Sequence, residues 1–186
     1  MRRLRLAGVM VAPCVLFTVG ACSTGIEERP SIEPAQEIGG TDMRLTSSAF
    51  EHEGLIPRRH TCDGPDVSPP LTLHDIPAAA RSLVLVMDDP DAPGGTWDHW
   101  LAYDIPVEAG ISEAVASLGT LGRNSWGRAK YGGPCPPSGS HRYVFSLYAL
   151  DARLGLEPGA AKATVLDAMA GHVLAEASLM GRYQRS

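Results

Sequence analysis

The chain has 186 residues, of which 44 % are hydrophobic, so it can bury the core of one ordinary domain. Its formal net charge is −5, and without the three arginines at positions 2, 3 and 5 the remainder carries −8. An acidic domain matches a nucleic-acid backbone poorly, so we expect neither DNA nor RNA as a partner.

The N-terminal segment has the pattern of an export signal. A basic start, residues 1–5, is followed by an apolar run over residues 6–21 that is shorter than a full membrane span. The run ends in Val-Gly-Ala directly before Cys22, which resembles the lipobox of bacterial lipoproteins, where the cysteine is diacylated. We therefore predict a signal peptide over residues 1–21 and lipidation of Cys22. The alternative is an ordinary secretory peptide that merely contains this cysteine.

Residues 22–41 are predicted to form a flexible tether. The stretch STGIEERPSIEPAQEIGGT is rich in Ser, Glu, Pro and Gly and cannot bury enough apolar surface to order itself. Two acyl chains anchor a protein stably, so we expect the domain of residues 42–186 to be held at the extracytoplasmic face of the cell membrane.

Three apolar runs in this domain predict strands, over residues 82–87, 100–105 and 142–150. In the last run, alternation places Tyr143, Phe145, Leu147 and Ala149 on one face. The Ala-, Leu-, Met- and Val-rich stretch 160–183 predicts helix, with Gly171 as a joint between two pieces. The pattern indicates a sheet-rich domain closed by a C-terminal helical segment.

Two of the connections between predicted strands contain residues that a simple turn does not need. The first predicted strand leads into DDPDAPGGTWDHW, residues 88–100, whose two tryptophans and His99 exceed what reversing the chain needs. The long connection between Pro106 and His141 contains LGRNSWGRAKYGGPCPPSGSH, which mixes the freedom of glycine with the rigidity of proline. Both segments are typical of a ligand site.

Several motifs in sequence order carry a family resemblance. VMDDPDAP, WDHWLAYDIP and YGGPCPPSGSHRYVFSLYALD resemble the phosphatidylethanolamine-binding proteins, and specifically their bacterial, Raf kinase inhibitor-like branch. TCDGPDVSPPLTL and AMAGHVLAEASLMGRY fit the same branch, so the resemblance covers roughly residues 42–183. It implies a mainly β fold, a β-sandwich of two antiparallel sheets with a C-terminal helix packed at one end.

The resemblance also implies a small anion-binding pocket at one end of the sandwich. Two histidines there can donate N–H groups to phosphate, the loop glycines let backbone N–H groups approach, and an aspartate can fix a tautomer or hold an ammonium group. A ligand such as phosphoethanolamine would suit it. Asp98 stands where the family often has a second histidine, which removes one possible donor. The residues that match the pocket motifs are Asp89, Asp91, Trp97, His99, Gly132, Gly133, Pro136, Pro137, His141 and Tyr143.

These residues also have plainer interpretations. Aspartates that follow a strand are often turn residues, and for Asp91 this alternative stays open. A single histidine on a strand is more often a hydrogen-bonded structural group than a ligand. Trp97 could simply cap the core.

The four cysteines separate into two groups. If Cys14 leaves with the signal peptide and Cys22 is lipidated, Cys62 and Cys135 remain outside the reducing cytosol. The resemblance places both near the pocket end of the sandwich, so we predict a disulfide that ties the ligand loop to the domain. Two reduced, buried cysteines, or a metal site with His60, are the alternatives.

We expect a membrane-anchored binding module for a small anionic or phosphorylated ligand, which could inhibit or modulate another protein. A hydrolase that uses Asp89, His99 and His141 is one alternative, and an envelope protein that acts by contact alone is another. The sequence contains no G-x-S-x-G, H-E-x-x-H, Walker or C-x-x-C motif. We therefore predict no catalytic residue, no cofactor and no metal.

Overall fold

The structure is a computed structural model that describes residues 42–108 and 110–185. The predicted signal peptide, lipidation site and tether lie outside the described residues. Within those residues, no helix has both the length and the apolar character needed to cross a membrane.

Eight strands and one α-helix follow one another within the described residues. The strands are β1 (Arg44–Thr46), β2 (Leu71–His74), β3 (Ser82–Asp89), β4 (Trp97–Ile105), β5 (Gly110–Ile111), β6 (Thr120–Leu121), β7 (Ser140–Leu150) and β8 (Val173–Gln184); helix α1 (Lys162–Met169) precedes β8. A three-stranded sheet has the order β1-β2-β5, and a five-stranded sheet has the order β6-β4-β3-β7-β8. All pairs are antiparallel, which confirms the expected mainly β fold of two antiparallel sheets.

The central strand β3 is buried on both faces. Leu83, Leu85 and Met87 pack in the core between the two sheets, together with the predicted inward face of β7. Val84 and Val86 point the other way, into a second cluster closed by α1. Because both faces are covered, SLVLVM is a continuous apolar run rather than an alternating one.

The C-terminal prediction is right only for its first piece. Helix α1 ends at Met169, Gly171 adopts a φ of +81° at the predicted joint, and the second piece is strand β8 rather than helix. Its residues Ala177, Leu179, Gly181 and Tyr183 alternate inward while β8 pairs with nearly the whole of β7. This pairing overrides the helix propensity of Ala, Glu, Leu and Met, which is a weak preference.

Candidate functional site

A cleft of about 590 Å³ opens at one end of the five-stranded sheet. Strand β3 pairs antiparallel with β4 and β7, so the end of β3 meets the starts of both neighbours at this edge. The turn over residues 90–96 and the loop that precedes β7 complete the walls. Among the lining residues are Asp89, Trp97, His99, Trp126, Cys135 and Pro137.

His99 is the extra residue of a β-bulge. Met87 pairs with Trp100 while the next residue, Asp88, pairs with Asp98, so β4 advances two residues where β3 advances one. A bulge redirects the side chains on either side of it. Trp100 therefore packs in the core between the sheets, and His99 faces the cleft.

Asp89 and His141 form a buried hydrogen-bonded pair beside the cleft. The His141 Nδ1 donates to Asp89 Oδ2 over 2.7 Å, and the backbone N–H of Asp91 donates to Asp89 Oδ1 over 2.8 Å. Asp89 is only 3 % exposed. With its Nδ1 proton committed to the carboxylate, His141 has Nε2 left for a ligand.

The ring of His99 is fixed in the same manner by the loop. Its Nδ1 donates to the carbonyl of Gly132 over 2.7 Å, which leaves Nε2 free to face the cleft. Burial lowers the pKa of His99, although the Gly132 carbonyl and the charge of Asp89 act in the opposite direction. The ring is therefore neutral at neutral pH unless an anion arrives to favour its charged form.

Tyr143 contributes a hydroxyl without a protein partner. Its ring meets His99 edge to face at a centroid distance of 5.2 Å, and the residue is fully buried. In the described part of the chain, this hydroxyl is the only buried side-chain polar atom that makes no hydrogen bond. Burial and the nearby Asp89 carboxylate raise the pKa of Tyr143, so the group stays protonated and can donate. Buried polar atoms are normally paired, and the acceptors close enough to influence this hydroxyl are the Cys135 carbonyl and the Asp89 carboxylate.

Besides His141 and Tyr143, which are buried beside the cleft and not part of its lining, four of the expected pocket residues do not line it. Gly132 donates its N–H to the carbonyl of His99, and Gly133 donates to Asp66, so neither amide is open to a ligand as expected. Both glycines border a separate cavity of about 200 Å³. Pro136 is buried outside the cleft lining.

The fourth is Asp91, which is held by an arginine. Its carboxylate accepts three hydrogen bonds from Arg142, from the backbone N–H and from the guanidinium. These bonds lower the pKa of Asp91 from 3.8 to about 2. The small stabilisation that the ionised Asp91 gives the folded state is therefore present above pH ~4 and is lost as the pH falls through about 2. The structure thus gives Asp91 an ion pair that ties the turn after β3 to β7, whereas the carboxylate that accepts from a turn N–H is that of Asp89.

Asp98 lies on the opposite face of the sheet from the cleft. Its carboxylate and that of Asp88 each accept a hydrogen bond of 2.8 Å from Lys162, the first residue of α1. Because of the bulge, the side chains of His99 and Asp98 point in different directions. A donor at position 98 would thus point towards α1, and the absence of a histidine there removes nothing from this cleft.

Trp126 is a lining residue that the sequence analysis did not place in the site. Its ring lies 4.9 Å from that of His99 and 5.5 Å from that of Trp97, measured between centroids. A Cβ at position 132 would come within 2.7 Å of the indole, so glycine is needed there for the ring to lie against the loop. A tryptophan within a Gly/Pro-rich loop was the signal that could have identified it.

The predicted disulfide between Cys62 and Cys135 is present, with the two Cα atoms 5.4 Å apart. It joins the loop that carries Gly132 to the segment after the 3-10 turn Arg58–His60. Over residues 42–108 and 110–185, no group of three or more His, Cys, Asp or Glu side chains could hold a metal ion.

Comparisons with known proteins agree with the motifs. Residues 46–184 match the family described as phosphatidylethanolamine-binding protein. A UPF0098 protein of Methanothermobacter thermautotrophicus is 52 % identical over 150 residues, covering 77 % of this chain and 99 % of that protein. A UPF0098 protein of Chlamydia trachomatis is 43 % identical over 149 residues, with the same coverage of both chains.

Two crystal structures share the fold. A homologue of the phosphatidylethanolamine-binding proteins from Chlamydia trachomatis has a TM-score of 0.77 and 41 % identity, covering 78 % of this chain and 99 % of that one. An Escherichia coli protein described as a new member of the mammalian family has a TM-score of 0.72 and 27 % identity, covering 77 % and 99 %. The chain therefore belongs to the phosphatidylethanolamine-binding protein family.

Proposed function

We propose that this chain is an exported, lipid-anchored protein whose cleft binds a small phosphorylated ligand such as phosphoethanolamine. The observation that carries the proposal is a pair of ring nitrogens at the cleft, the Nε2 atoms of His99 and His141, which are left open because each Nδ1 is bound to Gly132 or to Asp89. Each Nε2 can donate to a phosphate oxygen when its ring carries both protons, a form that a bound anion favours. The two histidine rings are already oriented by Asp89 and Gly132, so little conformational freedom is lost on binding.

Replacing His141 by alanine tests this proposal. We expect affinity for phosphoethanolamine to fall by ~1.5 to 3 kcal/mol, the usual size of a charge-assisted hydrogen bond. Titration calorimetry on the folded variant measures the loss. His172→Ala is the matched control, because His172 also donates from Nδ1 to an aspartate but lies at the other end of β7 and β8.

Two results would contradict the proposal. Unchanged affinity in a His141→Ala protein with a native circular dichroism spectrum would remove this histidine from the site. Release of inorganic phosphate during the titration would instead favour the hydrolase.

The lowered pKa of His99 predicts how anion binding depends on pH. A bound anion favours the charged ring, so binding takes up a proton and affinity should rise as the pH falls below neutral. Sulfate is the better probe, because it stays fully ionised over this range while phosphate titrates near pH ~6. Calorimetry in buffers of different ionisation heat would report the proton uptake. His99→Gln should reduce it, whereas a flat profile in the unaltered protein would contradict the assignment.

Membrane attachment is tested on the full chain expressed in a bacterial host. Cys22→Ser should leave a longer protein that no longer partitions into detergent, because acylation and the cleavage linked to it both need the thiol. Cys14→Ser should behave as the unaltered protein. Fractionation that still recovers the Cys22→Ser variant in membranes would exclude lipidation of Cys22 as the anchor.

A further inference from the structure

We propose that the cleft selects phosphorylated ligands that carry a quaternary ammonium group, with Trp97 and Trp126 forming the wall that receives the cation. This inference rests on the proposed function, because it assumes that the ligand phosphate lies beside His99. It adds the chemical class of the second group on the ligand.

The two indoles form a corner at the rim of the cleft. Their planes meet at 76° with centroids 5.5 Å apart, so one cation can lie within ~6 Å of both rings. Both side chains remain partly open to solvent, with Trp97 36 % and Trp126 40 % exposed. The T-shaped contact of Trp126 with His99 places this corner next to the expected phosphate donor, as a short zwitterionic ligand requires.

The corner offers little to a primary ammonium group. Asp89, the only carboxylate in the cleft lining, is buried and already accepts from His141 and from the Asp91 N–H. The Ser125 hydroxyl, also in the lining, accepts from the Asp98 N–H. A primary ammonium ion would exchange hydrogen bonds to water for the few acceptors left in the lining, such as the Thr96 hydroxyl, whereas a trimethylammonium ion has no N–H groups to satisfy.

Trp126 is held in position before any ligand arrives. The buried Asn124 side chain accepts from the backbone N–H groups of Trp126 and Arg128 and donates to the carbonyls of Lys130 and His99. These bonds close the turn that presents Trp126 and tie it to the residue that would bind phosphate. The aromatic wall is therefore preorganised, which reduces the cost of ordering it on binding.

Three organophosphates distinguish the effect of the ligand's positive charge on affinity from the effects of the size and shape of the charged group. Phosphocholine carries the trimethylammonium group, dimethylbutyl phosphate replaces that group with a neutral tert-butyl group, and phosphoethanolamine carries a primary ammonium. We expect calorimetry to find phosphocholine about five- to thirty-fold tighter than either of the others. A short-chain phosphatidylcholine below its micellar concentration shows whether the same preference extends to a lipid headgroup or is confined to the free monoester.

Trp126→Leu and Trp97→Leu keep an apolar side chain at the rim and remove the aromatic face. Each should reduce the advantage of phosphocholine over dimethylbutyl phosphate, a ratio in which any loss of phosphate affinity common to both ligands cancels. Equal binding of all three organophosphates, or tighter binding of phosphoethanolamine, would overturn the cation preference and leave the phosphate site intact. Failure of every probe, inorganic phosphate included, would overturn the proposed function itself.

Discussion

Replacing Cys62 and Cys135 together by serine is expected to lower the free energy of unfolding by about 4 kcal/mol. The bond links residues 73 positions apart, so it removes a large amount of loop entropy from the unfolded chain. This figure is an upper expectation, because any native strain at the bond subtracts from it. Urea unfolding of the domain, followed by far-ultraviolet circular dichroism, measures the difference.

The reduced, unaltered protein is the matched control for this pair of substitutions. It should unfold at the same urea concentration as the double variant, because both lack only the covalent link. The loop keeps other ties, including the Cys62 N–H to the Pro134 carbonyl and the Gly133 N–H to Asp66. The ligand loop should therefore stay folded at low urea. Equal midpoints for the oxidised protein and the double variant would show that these ties, and not the disulfide, hold the loop.

The strands of the five-stranded sheet could be predicted where burial leaves a simple pattern. Tyr143, Phe145, Leu147 and Ala149 alternate in β7, and each is fully buried in the core between the sheets as expected. Strand β8 could not be predicted in this way. Its stretch LAEASLM favours helix locally, and only pairing with β7, which local sequence does not record, makes it a strand.

The chemistry of the site could be predicted from motifs, but the directions of its side chains could not. WDHW does not reveal that a bulge sends His99 into the cleft and Asp98 towards Lys162. Nor does the loop sequence reveal that the N–H groups of Gly132 and Gly133 bind protein acceptors. The first fact depends on the register of β4 against β3, and the second on contacts between segments 33 and 67 residues apart, neither of which local rules describe.

Asp89→Ala is expected to destabilise the domain by about 2 to 4 kcal/mol and to weaken phosphate binding. The substitution leaves two donors, the His141 Nδ1–H and the Asp91 N–H, without a partner in a buried place, and each such group costs about 1 to 3 kcal/mol. The freed imidazole can also turn or change tautomer, so its Nε2 is no longer aimed at the ligand. Asp89→Asn keeps one acceptor and should lose roughly half as much stability.

Asp91→Ala is the control that the DPDAP motif itself provides. It removes a partly exposed ion pair with Arg142, which is worth less than about 1 kcal/mol, and it should leave phosphate affinity unchanged. Urea unfolding and calorimetry on the three variants compare two aspartates that stand two positions apart and have the same intrinsic chemistry. If Asp91→Ala proved as damaging as Asp89→Ala in both measurements, the Asp89–His141 pair would have no special part in the cleft. A loss confined to Asp89 variants would instead follow from burial, because only there does water fail to replace the missing carboxylate.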